Sequence, residues 1–598
     1  MKISKTLKNL GFAIGLLSVA FSCEPASEKL TEVTDKPKEE ANAELTIHEI
    51  SDPDGMNPIT SHAANSLYIQ NNIYSKLLVY DQQTLELSPQ LAVSRPEIKI
   101  LEEGEYAGGM SLTYEIHAEA TWDNGTPITA EDYVFTIKVI KNPKVSSAQI
   151  RPYFEFMDKV EIDPTNNKKF TIYSKESYFR AEESSGQEAF ILPEYHYDQE
   201  GLMSEFTIQQ LSDPEQADAL MRNQKIIRFA EKFNAVKMKR QPEEVIGSGP
   251  YKFVEWTTGQ RVVLERKKDW WGDKLKGNKM LEAFPPKIIY KTIPDLTAAI
   301  TSAKDGKLDV IRSIPPTKFI DLKDDTKFST RFDLSTPDQF IYHYIGFNMK
   351  RPQFRDKRVR RAIAHLIDRD DMIESIFEGM AIKTNGPINP KKDYSNKNMK
   401  DIEYDIEKAK ALLDAAGWKD MDGDNIRDKM IDGKQESLII EYKYNQGHLV
   451  RKNIGKLLKD EASRVGIEVE LTPIDFPTLL DDADNRNFDM VALAWVKTPG
   501  LDDMKQVWHT DGDKEGGSNR VGFGTPESDR LIDQIRVTLD PEVRKESYFK
   551  VQEIIYDEQP YIFLFVPSEL IAIHNRFDGT ETSPMRPGYR DASFKLRK

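Results

Sequence analysis

Apolar and polar positions follow two different periods, and these periods alternate over most of the chain. The segment LTIHEI, from Leu45 to Ile50, has the two-residue period of a half-buried strand, whereas Ala63 to Leu78 repeats its apolar residues at helical spacing. From Leu296 to Val496 the predicted helices and strands succeed one another, which is typical of βαβ units. The pattern predicts an α/β protein with parallel or mixed sheets.

One predicted strand ends in an unusual group of residues. Phe488 to Trp495 is an apolar run typical of a buried strand, and the sequence VKTPGLDD follows it with polar groups and a Pro-Gly turn. A strand end that presents an aromatic ring and polar groups together is suited to line a ligand cleft. We therefore interpret Trp495 as part of such a cleft, with a core tryptophan as the alternative.

The N-terminus has the features of a targeting segment. Three lysines precede the apolar run Gly11 to Phe21, which is shorter than the roughly 20 residues of a membrane-spanning helix. Small Ser22 and then Cys23 follow. Residues 1–22 resemble a bacterial lipoprotein signal peptide with Cys23 as the lipidated residue, although Ala20 stands where that pattern prefers leucine. An ordinary secretory signal is the alternative.

Residues 23–44 contain few large apolar side chains and many charges. Such a segment cannot bury enough apolar surface to fold and is predicted to be a disordered tether. We expect the remainder to be soluble and extracytoplasmic, in the cell envelope, and held to the membrane by the N-terminal lipid.

Composition excludes several classes of protein. The chain has 598 residues, a length that indicates several domains. Its formal net charge of −15 argues against a nucleic-acid binder. Cys23 is the only cysteine, so neither an internal disulfide nor a cysteine zinc site can form. No phosphate-binding loop, HExxH, GxSxG or GxGxxG motif is present. We therefore expect no cofactor and no enzymatic activity.

The acidic stretch DMDGDNIRD suggests a calcium loop. Carboxylates recur in it at the kind of spacing that calcium loops use, and Asn425 could take the left-handed conformation that such loops need. Ile431 stands where a bidentate glutamate is expected. The alternative is an acidic turn closed by side-chain hydrogen bonds to its own backbone. The candidate ligands are Asp420, Asp422, Asp424 and Asp428.

Several segments, in order, resemble one family. They include TWDNGTPITAEDYVFTIK from Thr121, GSGPYKFVEWTTGQRVVLERKKDWWG from Gly247, IGFNMKRPQFRDKRVRRAIAHLIDR from Ile345 and YDIEKAKALLDAAGW from Tyr404. These segments are similar to motifs of the family 5 extracellular solute-binding proteins of ABC transporters, of the oligopeptide- and dipeptide-binding type. The resemblance covers nearly everything from Leu45 onward.

The resemblance implies a type II periplasmic-binding-protein fold. Two α/β lobes would be joined by a two-segment hinge, and an extra domain would lie beside the first lobe. By analogy the first lobe comprises residues 45–80, 185–300 and 520–598, the extra domain 81–184, and the second lobe 301–519. Ligand would be buried between the lobes when the hinge closes.

The resemblance also implies where ligand binds. In the peptide-binding members a tryptophan walls a side-chain pocket, and an aspartate three residues later pairs with the peptide's amino group. Here Trp495 keeps its place, but Thr498 stands at the aspartate position, and a hydroxyl cannot pair with a buried ammonium as a carboxylate does. The amino anchor is therefore missing unless Asp502 or Asp503 reaches back. Lys497 is a candidate anchor for an anionic or carbonyl-bearing group.

Other candidate cleft residues lie at strand ends and loops, and each has a structural role as its alternative. They are Asn65, Ser66, Ser248, Tyr444, Asn445, Val496 and Trp508.

Four functions stay open. The first is a monomeric receptor that captures peptides or similar small ligands for the transmembrane subunits of an ABC permease. The second has the same fold and binds an oligosaccharide or a metal chelate. The third is a lipid-anchored hydrolase, for which no catalytic group is evident, and the fourth is a sensor that signals without transport.

Overall fold

The computed structural model describes residues 43–514 and 517–597. The predicted signal peptide, Cys23 and residues 23–42 of the predicted tether lie outside the described residues. In the described part, no helix has both the length and the apolar character that crossing a membrane requires. Two large sheets organise this part of the chain. We call residues 43–335 with 571–597 the first lobe, and residues 341–567 the second lobe.

The first lobe is built on a seven-stranded mixed sheet. Leu45–Glu49 lies inside it and runs parallel to both of its neighbours, because the helix Leu296–Lys304 connects those neighbours as a crossover. In spatial order the strands are Phe332–Ser335, Ile571–His574, Val310–Ile311, Leu45–Glu49, Lys287–Thr292, Arg261–Arg266 and Tyr251–Thr257.

A four-stranded antiparallel sheet forms the region predicted as the extra domain. Its strands, in spatial order, are Glu97–Ile100, Met110–Glu115, Asn166–Ser174 and Lys159–Asp163. The helix Ala130–Lys141 packs on it and begins where Asp132 accepts a hydrogen bond of 2.9 Å from the Thr129 backbone. One continuous apolar core joins this sheet to the seven-stranded sheet of the first lobe.

The second lobe is built on a five-stranded mixed sheet. In spatial order its strands are Glu468–Ile474, Ile439–Asn445, Met490–Val496, Ile341–Phe347 and Tyr561–Phe563. The first three strands are parallel, and Ile341–Phe347 is antiparallel to both of its neighbours. Separate apolar clusters cover the two faces of the sheet. The predicted buried strand that ends near Trp495 is present.

The structure moves both predicted lobe boundaries. Residues 301–335 were assigned to the second lobe, yet their strands pair in the first sheet. Residues 520–567 were assigned to the first lobe, yet their helices pack on the second sheet and their strand Tyr561–Phe563 belongs to it. Sheet pairing determines these assignments, since a strand belongs to the lobe whose sheet it is hydrogen-bonded to. The chain crosses between the lobes at residues 336–340 and 568–570.

The two crossing segments lie side by side. The backbone N–H of Gln339 donates to Pro567 at 3.1 Å, and that of Glu569 donates to Pro337 at 2.8 Å. The Ser568 hydroxyl also donates to an Asp338 carboxylate oxygen at 3.0 Å. This pair of segments has the form of a two-stranded hinge.

Two long segments of the chain are each divided into shorter helices. Lys357 to Phe377 is divided between Ala364 and Arg369, because Asp368 caps a new helix by accepting from the Asp371 backbone. Gln209 to Phe233 is divided into three helices, the last of which begins at the side-chain cap Asn223.

The α-helices of the first lobe are Ala64–Ile73, Ala130–Lys141, Ala181–Gln187, Glu194–Tyr197, Ile208–Ser212, Ala217–Arg222, Gln224–Phe233, Lys237–Arg240, Leu296–Lys304, Pro316–Asp324 and Thr326–Ser329. Those of the second lobe are Lys357–Ala364, Arg369–Phe377, Ile406–Ala415, Leu449–Ser463, Phe476–Asp484, Lys505–Trp508, Pro526–Val537 and Pro541–Glu558. Smaller strand pairs are Leu78–Tyr80 with Leu87–Pro89, Ala381–Lys383 with Phe565–Pro567, Asp428–Ile431 with Lys434–Ser437, and Phe577–Asp578 with Lys595–Leu596.

Candidate functional site

A cavity of about 490 Å³ lies between the two lobes. This volume falls within the range of about 300–1,000 Å³ that is usual for small-ligand sites. The first lobe supplies most of the wall, from the start of helix Ala64–Ile73, from the segment that follows this helix, and from residues 584–592. The second lobe supplies the four residues 496–499, and the crossing segment 336–340 supplies Phe340. A ligand in this cavity would therefore contact both lobes.

The second lobe contributes the end of strand Met490–Val496. Val496, Lys497 and Thr498, all predicted for the cleft, lie in the cavity wall, and their contact with a ligand stays a prediction. The Lys497 backbone N–H donates to Phe340 at 2.6 Å, which fixes the chain as it leaves the strand. The Thr498 hydroxyl donates to Glu183 of the first lobe at 3.3 Å. This edge therefore spans the gap between the lobes.

Gly500 lies close against the first lobe. A Cβ atom at this position would overlap the Tyr80 hydroxyl and would lie 2.5 Å from both carboxylate oxygens of Glu183. The absence of a side chain is therefore what allows the Pro-Gly turn to approach the first lobe. Glu183 is also paired with Arg180 at 2.9 Å, so its charge is already compensated.

Asp502 does not supply a free amine anchor. Lys392 donates to it at 2.7 Å, Tyr394 donates to it at 3.1 Å, and Lys497 lies 3.4 Å away. Burial raises the pKa of the Asp502 carboxyl, but the two lysines hold it below its usual value. Asp503 pairs instead with Arg536 at 3.2 Å. Both aspartates of the turn are thus occupied within the protein.

Asp591 is the one carboxylate among the residues described as lining the cavity. Asn72 donates to it at 3.0 Å, and the Tyr290 hydroxyl donates to it as well. Burial raises the pKa of Asp591 above its ordinary value. A ligand ammonium would have to displace these internal donors to use it.

The two tryptophans predicted for the cleft lie outside the cavity wall. The Trp495 ring nitrogen donates to the Tyr561 hydroxyl at 3.3 Å, and the Arg520 guanidinium lies 5.6 Å from the Trp495 ring centre. Trp508 is only 1% exposed and packs against Phe523 and Tyr561. Trp508 is thus a core residue, whereas Trp495 is half-buried at the margin of the second-lobe core, and contact of either ring with a ligand stays a prediction.

The remaining predicted residues also have structural partners. Ser66 donates to Asp54 at 2.5 Å, and Asn65 donates to the Ser51 carbonyl at 2.9 Å. Ser248 is buried, and its carbonyl accepts from two tryptophan ring nitrogens. Tyr444 is buried in the second lobe, and Asn445 accepts from Arg451 at 2.7 Å. None of these residues lies in the wall of the described cavity.

The acidic loop brings together three of its four predicted ligands. Asp420, Asp422 and Asp428 place carboxylate oxygens within 4.8 Å of one another, without Asp424. Asn425 has the left-handed conformation expected for it, with a φ of 70°. The carboxylates accept hydrogen bonds from the loop's own backbone, as in the acidic-turn alternative. Calcium binding here stays a prediction.

Sequence reasoning missed Lys76 and residues 584–592, which both line the cavity. The signal at Lys76 was a single charge inside the apolar run IYSKLLVY. The signal at residues 584–592 was the sequence PMRPGYRDA, in which arginines and a tyrosine stand among prolines and glycine without any strand or helix period.

A family model matches most of the chain. The family is described as bacterial extracellular solute-binding proteins, family 5 Middle, and its model matches residues 86–518. The oligopeptide-binding protein AppA of Bacillus subtilis is 27% identical over 607 residues, covering 100% of this chain and 100% of that protein. The heme-binding protein A of Haemophilus influenzae is 21% identical over 578 residues, covering 94% of this chain and 93% of that protein.

Solved structures resemble the whole described part of the chain. The structure of AppA from Bacillus subtilis in complex with a nonapeptide superposes with a TM-score of 0.70 at 25% identity, covering 93% of this chain and 99% of that one. The structure of NikA from Brucella suis in complex with Fe(III)-EDTA superposes with a TM-score of 0.72 at 20% identity, covering 93% of this chain and 100% of that one.

Proposed function

Because this chain belongs to the bacterial extracellular solute-binding proteins of family 5, we propose that it captures peptides or peptide-like nutrients between its lobes for an ABC importer. The predicted family and the predicted α/β periplasmic-binding-protein fold are both confirmed. The chain is thus a solute-binding protein of the ABC-transporter class. Such proteins are typically not enzymes, and we propose no reaction for this chain.

The observation that carries the proposal is the cavity between the lobes. Its wall comes from both lobes, and two hinge segments join the lobes in the part of the chain that the structure describes, so a bound ligand would favour the closed arrangement over an open one. The contacts of Thr498 and Gly500 with the first lobe support the closed state directly. Ligand binding and hinge closure are therefore coupled in this proposal.

Peptides are the first ligand class because of the relatives. One curated relative that matches the full length of this chain is an oligopeptide-binding protein, and its solved structure holds a nonapeptide. A non-peptide ligand is the second candidate, because NikA, a structural neighbour, was solved with a carboxylate chelate of iron. The Thr498 departure from the amine-binding pattern favours testing both.

We further propose that the protein works in the cell envelope as a monomer, anchored through a lipid on Cys23. The signal-like sequence of residues 1–22 supports this part of the proposal. The loaded, closed form would be recognised by the transmembrane subunits of a permease, or by a membrane partner if the protein is a sensor. Deleting the gene should abolish uptake of the bound ligand in the first case and leave uptake intact in the second.

Native mass spectrometry of the purified protein tests the ligand class. We expect a retained series of peptide masses, and we expect thermal stabilisation by a protein digest at concentrations above the dissociation constant. Oligosaccharides and iron–EDTA serve as comparison ligands. A retained non-peptide mass, with no stabilisation by any peptide, would replace the peptide proposal with the second candidate.

A further inference from the structure

We infer that Lys76 binds a carboxylate of the ligand, so that the cavity anchors its ligand by an acidic group rather than by an amine. This inference rests on the proposed function, since it assumes that the cavity between the lobes receives the ligand. It adds the chemical class of the group that is recognised and the residue that recognises it.

Lys76 is held rigidly at the cavity wall. It lies between helix Ala64–Ile73 and strand Leu78–Tyr80, and its backbone N–H donates to the Gln90 side chain at 2.8 Å. Its side chain is only 9% exposed, and its ammonium lies 4.3 Å from the centre of the Phe190 ring, which also lines the cavity. The ammonium is therefore directed along the wall that a ligand would contact.

Lys76 differs from every other buried lysine in the described part of the chain. The other three donate hydrogen bonds to carbonyl, hydroxyl or carboxylate oxygens; they are Lys141, Lys392 and Lys443. Among the described residues, the Lys76 ammonium has no hydrogen-bond acceptor and no carboxylate within ion-pair distance. A buried ammonium without an anion costs several kcal/mol, so proteins rarely retain one without a partner.

The nearest negative charge is already engaged. Glu188 acts on Lys76 through space, but its carboxylate lies 3.4 Å from the Arg180 guanidinium and beyond ion-pair distance from Lys76. Arg586 is a second cation in the cavity wall, and it forms no hydrogen bond or ion pair with another described residue. The uncompensated charges of the cavity are thus both positive.

A carboxylate fits this arrangement better than an amine does. It would give the Lys76 ammonium the charged acceptor that it lacks, and such a bond is roughly twice as strong as a neutral one. An ammonium in the same place would be repelled by Lys76. Asp591, the one carboxylate among the described lining residues, already accepts from Asn72 and Tyr290.

Calorimetry with matched peptides tests the inference. The probes are trialanine and pentaalanine as free acids, as C-terminal amides and as N-acetylated acids. We expect amidation to weaken binding about 10- to 100-fold and acetylation to change it little. In Lys76→Met the acid and the amide should bind equally, whereas Lys76→Arg should keep the preference. A central glutamate in the pentaalanine amide tells whether a side-chain carboxylate can replace the terminal one.

The pH dependence gives a second readout that needs no variant. Burial lowers the pKa of Lys76 from 10.5 to about 8, so the affinity for a carboxylate should fall as the pH rises past 8, while the affinity for the amide should not. The lining tyrosines have pKa values raised above 10, and burial lowers the pKa of His62 below 6.5. The other charged groups at this cavity are Glu188, Lys497, Arg586, Arg590 and Asp591.

The outcomes separate this inference from the proposed function. If acid and amide bind the wild type equally, or if Lys76→Met keeps the preference, the inference is overturned while peptide binding stands. If no peptide binds but iron–EDTA or citrate binds and Lys76→Met loses it, the peptide proposal fails and the carboxylate anchor holds. If none of these probes binds the wild type, both are overturned.

Discussion

Lys392 and Lys76 are buried lysines on opposite lobes, and their surroundings are opposite as well. Lys392 donates to the Gly500 carbonyl at 2.6 Å and to Asp502 at 2.7 Å, so the second lobe compensates its charge internally. Lys76 has no such partner in the described part of the chain, and it lines the cavity. The difference teaches that a fold tolerates a buried charge where its counter-ion is built in, and that a buried charge without one points to a surface where the counter-ion arrives with a ligand.

The largest expected effect is at the compensated lysine. Asp502→Asn would leave the Lys392 ammonium buried without its anion, which should lower the free energy of unfolding by about 3–5 kcal/mol. Urea unfolding at neutral pH measures the loss. The matched control is Asp503→Asn, whose partner Arg536 is a third exposed, and which should cost about 1 kcal/mol or less. Equal costs for the two variants would remove the contrast between the lysines.

The uncompensated lysine should behave in the opposite way. Its pKa is about 8 in the folded chain and 10.5 ordinarily, so the unfolded chain binds more protons between these pH values and stability rises with pH there. Ligand-free Lys76→Met lacks this rise and should be more stable than the wild type at neutral pH by up to about 3 kcal/mol. The advantage should vanish as the pH approaches 10.5.

Urea unfolding of protein refolded without ligand, at several pH values across this interval, measures the difference. Lys144→Met, at an exposed position, serves as the control and should not alter the pH dependence. A Lys76→Met variant that is less stable than the wild type at neutral pH would show that Lys76 has a structural role instead.

Gly500 lies at the contact between the two lobes. Its carbonyl accepts a hydrogen bond from Lys392 of the second lobe, and its Cα faces Tyr80 and Glu183 of the first lobe. Gly500→Ala should force the Pro-Gly turn away from the first lobe and destabilise the closed form by about 1–2 kcal/mol. We expect roughly tenfold weaker ligand binding, measured by calorimetry, with the acid-over-amide preference retained. Gly386→Ala, where a Cβ would meet only the end of a methionine and a glutamine oxygen, should bind normally.

The smallest effect is expected at Trp495. If Lys76 and the first-lobe wall recognise the ligand, Trp495, which lies outside the cavity wall, contributes little to binding. Trp495→Phe should therefore change the affinity for the ligand less than twofold. The same calorimetric titration measures it. A large loss of affinity would instead restore the prediction that this ring contacts the ligand.

The sequence predicted the helices and strands that are determined by short stretches of chain. Strand Leu45–Glu49, helix Ala64–Ile73 and strand Met490–Val496 all follow from local period and turn chemistry. The lobe boundaries did not follow, because pairing between Val310–Ile311 and Leu45–Glu49 is a contact across most of the lobe's sequence. Periodicity identifies a strand without saying which sheet receives it.

The site divides in the same way. Val496 to Thr498 could be placed at a cleft because a strand end and a turn mark them locally. Trp495 could not be separated from a core tryptophan, since the strand's alternation leaves open which face meets the cavity. Lys76 was missed because a lysine in an apolar run is not in itself a sign of a binding site. It becomes one when the lysine has no ion-pair partner, and the folded structure is needed to see that.

Residues 584–592 follow every strand of both large sheets in chain order, yet they form part of the cavity wall. During synthesis both sheets are therefore complete in sequence before this wall exists. A chain that stops near residue 580 would contain every strand of both large sheets but would lack this part of the cavity wall.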